Sequence, residues 1–299
     1  METHNNIIFH LQGCATALLT PFRNDEVDYD ALRSLVGMQV NAGVDFLVPL
    51  GTTAETPCLS EAERLRILSA VRECAPSTPL IVGCGTNSLR GTIANMRLYE
   101  NEGADGFLVV VPFYNKPTQE GLYQYFSAVA SETTLPIVLY NVPGRTGCNM
   151  SAETTLRLSR IPNIVAIKEA SGNVEQILRI IQGAPEGFSV LSGNDDQTAL
   201  LMRAGAHGVV SVASNIVPGM MVSMVRALQR GDRDEATRLE RILDPLFRAC
   251  FMESNPIPAK GALSLLGLCT PDMRLPLTPA TQRTLSTMQT VLNDLKTYA

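Results

Sequence analysis

The chain has 299 residues and a formal net charge of −5, from 24 Lys+Arg against 29 Asp+Glu. Only four of those cations are lysines (Lys116, Lys168, Lys260, Lys296), and two of the three histidines, His4 and His10, sit at the extreme N-terminus. A mildly acidic, lysine-poor chain argues against a nucleic-acid or anionic-membrane partner, and so few histidines argue against a multi-His metal centre.

Eight short apolar runs rich in Val, Ile and Leu follow one another: Gly13–Leu19, Asp45–Leu50, Leu80–Cys84, Gly106–Val111, Ile137–Asn141, Ile164–Lys168, Phe188–Ser192 and Gly208–Val212. Most do not alternate apolar with polar, which predicts strands covered on both faces, as in a parallel sheet. Segments with helical spacing lie between them: Asp28–Gln39, a helix opened by the capping box Ser60-Glu61-Ala62-Glu63, then Ser88–Asn101, Thr118–Ser131, Ser151–Arg160, Val174–Gln182 and Asp195–Ala204. Gly43, Gly103 and Gly205 recur just past a helix and before a strand, where a left-handed cap turns the chain. Eight strands alternating with helices predict an α/β fold, a (β/α)8 TIM barrel, of the size usual for that architecture. An open doubly wound sheet is the rival, disfavoured because no G-x-G-x-x-G follows any candidate strand. From about Pro218 the pattern is helical only, over Met220–Arg230, Asp232–Ala249, Pro258–Leu266 and Pro279–Lys296. Residues 1–230 are therefore read as the catalytic barrel and 231–299 as a C-terminal helical appendage packed on it.

In such barrels chemistry sits at the C-terminal ends of the strands. Lys168 follows Ile164-Val165-Ala166-Ile167, so it ends an apolar strand. Desolvation there disfavours the ammonium and favours a nucleophilic amine able to form a Schiff base; the structural alternative is an ion pair with Glu169 or Asp195. Lys116, Lys260 and Lys296 are read as solvated or packing lysines. Thr52 and Thr53 follow a glycine at a strand end and could hold a small carboxylate, or simply cap a turn. Tyr140 ends another strand, where a phenol beside an amine could move a proton, or merely pack. Arg145, in a loop flanked by Pro143 and Gly144, suits bidentate carboxylate recognition, or lies free on the surface. Glu55, Asp195 and Asp196 could suggest metal ligands but are read as helix caps or arginine partners, so no metal is expected. Together these residues describe a class I aldolase-type constellation.

Gly51-Thr52-Thr53-Ala54-Glu55, the run Tyr140-Asn141-Val142-Pro143-Gly144-Arg145-Thr146-Gly147, and Ile167-Lys168-Glu169-Ala170 resemble signatures of the dihydrodipicolinate synthase/N-acetylneuraminate lyase family. Ser192-Gly193, Gly208–Val212 and Glu253–Lys260 fit as well, and one departure is Ala54, where the family usually has glycine. The resemblance implies condensation of pyruvate with L-aspartate-4-semialdehyde in the diaminopimelate route to lysine, without cofactor, through a covalent Schiff base on Lys168. Thr53, Gly193 and Val210 would hold pyruvate, Arg145 the carboxylate of the semialdehyde, and Tyr140 would move protons relayed by Thr52 and Tyr114. The tyrosine matching Tyr114 reaches a neighbouring subunit's site in the family, which implies a dimer as minimum unit and a homotetramer built as a dimer of dimers. The alternatives are a lyase or aldolase for a 2-keto-3-deoxy sugar acid or sialic acid, and a catalytically silent ligand-binding barrel.

The resemblance also places a lysine-feedback site at Thr56, Pro57, Glu61, Arg64, Asn87, Gly91 and Phe113. Gly91 cannot supply a carboxylate, Phe113 lacks a hydroxyl and Arg64 repels an ammonium, so weak or absent lysine feedback is expected. A cytoplasmic location is expected from the opening METHNNIIFHLQG, which lacks a basic-then-apolar signal pattern, and from seven scattered cysteines read as buried or half-buried free thiols.

Overall fold

A computed structural model of the chain describes residues 11–298. His4, His10 and most of the N-terminal segment lie outside the described residues. All eight expected strands form: β1 Gly13–Ala17, β2 Phe46–Val48, β3 Ile81–Gly83, β4 Gly106–Val110, β5 Ile137–Asn141, β6 Ile164–Glu169, β7 Ser189–Ser192 and β8 Gly208–Ser211. Each pairs in parallel with its sequence neighbours, and β8 pairs with β1. A parallel bridge from Leu47 to Leu80 joins β2 to β3 and closes the barrel.

The intervening helices are α1 Tyr29–Ala42, α2 Glu61–Cys74, α3 Leu89–Glu100, α4 Gln119–Ala130, α5 Ala152–Leu158, α6 Val174–Gly183, α7 Thr198–Arg203 and α8 Pro218–Gln229. The capping box at Ser60 is formed: its hydroxyl accepts from the Glu63 N–H at 3.3 Å and its own N–H donates to the Glu63 carboxylate at 2.8 Å. Gly43, Gly103 and Gly205 have φ of 75°, 82° and 109°, the left-handed turns that the repeated signature requires. Three further helices follow, α9 Arg233–Ala249, α10 Ile257–Leu265 and α11 Gln282–Leu295, with α9 packed on α8 and α11, and α10 on α11. Two elements escaped the sequence reading. Phe22–Arg23 and Glu26–Val27 pair as a small antiparallel hairpin, and Pro143–Thr146, read as loop, is one helical turn.

Strand alternation sorts the core into two layers. Ala15, Phe46, Ile81, Leu108, Val138, Ala166, Leu191 and Val210 fill the barrel interior, while their strand neighbours such as Cys14, Leu47, Leu139, Ile167 and Val209 pack outward against the helices. Two residues beyond Val138 and Ala166, the same alternation turns Tyr140 and Lys168 inward at the C-terminal mouth. No helix among the described residues is long and apolar enough to cross a membrane. All seven cysteines are free and buried or half-buried, as read.

Candidate active site

Tyr140 and Lys168 are register partners on β5 and β6, so the pleat puts both side chains on one face. The Lys168 Nζ lies 4.5 Å from the centre of the Tyr140 ring, and Lys168 is only 6% exposed. Among the described residues it has no ion pair within 4.0 Å and no side-chain hydrogen bond. The two carboxylates that could have claimed it are turned elsewhere. Glu169, the next residue along the strand, points outward and accepts from the Ser171 N–H at 2.8 Å and from Asn141 and Gln176 at 3.2 Å. Asp195 holds the loop after β8 through Oδ2, which accepts the Val212 and Ala213 N–H groups at 3.0 and 2.9 Å; its buried Oδ1 has no partner, and Lys168 acts on this carboxylate only as a nearby charge. Burial pushes both carboxyls up from the usual carboxylate range.

The β6–β7 corner beside Lys168 is tight. A Cβ on Gly193 would stand 2.6 Å from the Ala170 Cβ and 3.1 Å from the Glu169 carbonyl oxygen, so only glycine lets the two strand ends approach. Val210 is buried on the inner face of β8.

A cavity of about 520 Å³ opens over this mouth. Its lining includes Tyr140, Val142, Arg145 and Asn255, together with Thr52, Thr56, Arg64 and Phe113. Lys168, Thr53, Gly193 and Val210 do not line it directly. Lys168 meets it through the Tyr140 ring, and Thr53 through Asn255, whose side-chain N–H donates to the Thr53 hydroxyl at 2.9 Å. Arg145 is exposed and donates to the Asn255 carbonyl oxygen at 2.9 Å. Tyr114 is not brought into this group: it stands 88% exposed, at a φ of 73°. The loop after β2 has a similar backbone cost. Leu50 and Glu55, at φ of 55° and 54°, bracket the 3₁₀ turn Thr52–Ala54, and such left-handed residues persist only where surroundings impose them. Ala54 lies inside that turn, buried and without a positive φ, so alanine fits where the family usually has glycine.

What imposes that loop is a group of residues whose role the sequence reading missed. Lys260, taken as a solvated or packing lysine, is fully buried and forms an ion pair with Glu55, also fully buried. Glu55, taken as a cap or arginine partner, thus pairs with a lysine; it also accepts the Arg274 main-chain N–H at 3.2 Å. Lys260 donates further to the Asp272 carbonyl oxygen at 3.0 Å and sits over the Phe22 ring. Arg274 reaches the Cys58 carbonyl oxygen and the Glu63 carboxylate, both at 2.9 Å. That guanidinium holds the Glu63 carboxyl down at about 2. The C-terminal region therefore supplies part of the cavity wall and fixes the Thr52–Thr53 loop. One signal was available: Ile257-Pro258-Ala259-Lys260-Gly261-Ala262-Leu263 is too apolar to leave its single charge in water.

The sequence profile of the dihydrodipicolinate synthetase family matches residues 10–295. The chain belongs to the dihydrodipicolinate synthetase family. Within it, the chain is 45% identical to the 4-hydroxy-tetrahydrodipicolinate synthase of Thermotoga neapolitana over 288 residues, covering 95% of this chain and 98% of that protein. It is 47% identical to the synthase of that name from Parabacteroides distasonis, covering 96% and 97%. The crystal structure of the Thermotoga maritima dihydrodipicolinate synthase superposes with a TM-score of 0.94 at 43% identity, over 95% of this chain and 98% of the other. A monomeric dihydrodipicolinate synthase variant superposes equally well, with a TM-score of 0.94 at 43% identity, over 96% and 97%. The resemblance carried by the sequence motifs thus extends through the whole barrel and its C-terminal helices.

Proposed function

We propose that this family member is a 4-hydroxy-tetrahydrodipicolinate synthase, a lyase of lysine biosynthesis that joins pyruvate to L-aspartate-4-semialdehyde. The carrying observation is Lys168: a buried amine with no contact ion pair and no side-chain hydrogen bond among the described residues, facing a phenol at the mouth of the barrel. An amine so placed suits carbonyl chemistry better than structural pairing.

In this reading Lys168 Nζ adds to the ketone carbon of pyruvate and water leaves, giving an iminium; no cofactor takes part. The iminium accepts the electron pair released when a methyl proton departs, and the enamine carbon then bonds to the aldehyde carbon of the semialdehyde. Arg145 holds that substrate's carboxylate, while Thr53, Gly193 and Val210 hold pyruvate's. The substrate's own amine displaces Lys168, closing the ring and freeing the enzyme. Tyr140 carries the protons, relayed through Thr52 and Tyr114. The exposure of Tyr114 in the single chain suits a residue completing a neighbour's site, and we assign a homotetramer built as a dimer of dimers. The free thiols support a cytoplasmic location.

A coupled assay tests the whole reading. Turnover is expected with pyruvate plus L-aspartate-4-semialdehyde and none with sialic acid or 2-keto-3-deoxygluconate; the reverse pattern would overturn it. Added L-lysine is expected to inhibit weakly or not at all, because Arg64, with no carboxylate within 4.0 Å among the described residues, presents an unneutralised cation to the cavity. Strong inhibition at sub-millimolar lysine would refute this.

A further inference from the structure

Asn255 holds an uncommon position in the cavity. It is 5% exposed, and three of its polar atoms can be accounted for separately. Its side-chain nitrogen donates to the Thr53 hydroxyl at 2.9 Å, and its main-chain oxygen accepts from Arg145 at 2.9 Å. Its side-chain oxygen is buried and has no partner. A buried acceptor without a donor is costly, so such groups call for an explanation.

The cavity wall is poor in charged acceptors. Glu55 is its one carboxylate, and that group is taken by Lys260 and by the Arg274 N–H. Five buried side-chain atoms among the described residues lack a partner, and only two belong to cavity-lining residues: Arg64 Nε, a donor, and Asn255 Oδ1, an acceptor. Asn255 is also tied to Arg145, through its main-chain oxygen. On the functional reading above, on which this inference rests, Arg145 takes the carboxylate of an α-amino acid semialdehyde. The ammonium of that substrate shares a carbon with the carboxylate, so it must arrive beside the group that holds Arg145.

We propose that Asn255 Oδ1 is a specificity determinant that accepts a hydrogen bond from the amino group of the second substrate. The bond to Thr53 holds the amide with its oxygen unpaired, and the bond from Arg145 to the same residue's main-chain oxygen sets the spacing between amine and carboxylate sites. A site built to bond an N–H rejects an analogue that lacks it, because the buried acceptor stays unpaired.

The test compares L-aspartate-4-semialdehyde with succinate semialdehyde, which keeps the carboxylate and aldehyde but has no amine. The readout is the ratio of the analogue's inhibition constant to the KM of the amino substrate. Asn255→Ala is expected to lower that ratio about tenfold or more, in line with the loss of one hydrogen bond to a charged group. Asn255→Asp, which keeps an acceptor oxygen, is expected to keep or raise it, and this variant decides the matter if the alanine form does not fold. A ratio unchanged within twofold in folded Asn255→Ala, or a tenfold fall in Asn255→Asp, overturns the proposal while leaving the synthase reading intact. Absence of turnover by the unmodified enzyme overturns both.

Discussion

Two lysines are buried in this barrel, and their surroundings are opposite. Lys260, in α10, is completely enclosed, and every neighbour answers its charge: the Glu55 carboxylate, the Asp272 carbonyl oxygen and the face of Phe22. Lys168, at the end of β6, is nearly as buried and makes no ion pair or hydrogen bond; it lies over the ring of Tyr140, Glu169 is held by other partners, and Asp195 is felt only as a charge beyond contact distance. Burial pushes the Lys260 ammonium down from its ordinary range and Glu55 pulls it back. The comparison teaches that burial alone does not mark a reactive amine. Pairing does the sorting: a paired lysine holds structure, and an unpaired one is left free for a substrate.

The comparison can be broken most directly by removing each lysine as methionine. Lys168→Met is expected to abolish turnover and leave the melting temperature close to that of the unmodified chain, since Lys168 makes no contact ion pair or hydrogen bond to lose. Lys260→Met is expected to cost about 3–5 kcal/mol of stability, because Glu55 would be left charged and buried. Adding Glu55→Gln to Lys260→Met should recover part of that loss. Thermal melts beside kinetic assays check all three, and a Lys168→Met protein as destabilised as Lys260→Met would erase the distinction.

A smaller effect sharpens the structural half. Glu63 has its folded-state pKa lowered from 4.5 to about 2 by the Arg274 hydrogen bonds. Its stabilisation is therefore present above pH 4.5 and is lost as pH falls toward 2, with a magnitude on the order of 2 kcal/mol. Glu63→Gln should flatten the acid limb of the stability profile across that window. An unchanged acid limb would show that the Arg274 contact does not hold the loop.

Most of the barrel was legible in the sequence because its signals are local. Apolar runs buried on both faces, the Ser60 capping box and the glycines that turn helices into strands each act within a few residues. The hairpin at Phe22–Val27 and the single helical turn at Pro143–Thr146 were too short to carry periodicity. The site divided along the same line. Lys168 and Tyr140 stood out because strand ends can be counted along the chain. Asn255, Lys260 and Arg274 did not, because their partners Thr53, Glu55 and Glu63 lie roughly 200 residues away and no local pattern records such a contact. The Tyr114 expectation was of the same long-range kind, since the resemblance places that residue in a neighbouring subunit.

The central claim is that Lys168 is the amine that meets the ketone. Incubating the enzyme with pyruvate, reducing with borohydride and mapping the modified peptide by mass spectrometry tests it. The account predicts one pyruvyl adduct per chain, on Lys168, with Lys260 unmodified. An adduct on another lysine, or an active enzyme whose Lys168 stays unmodified, would contradict it.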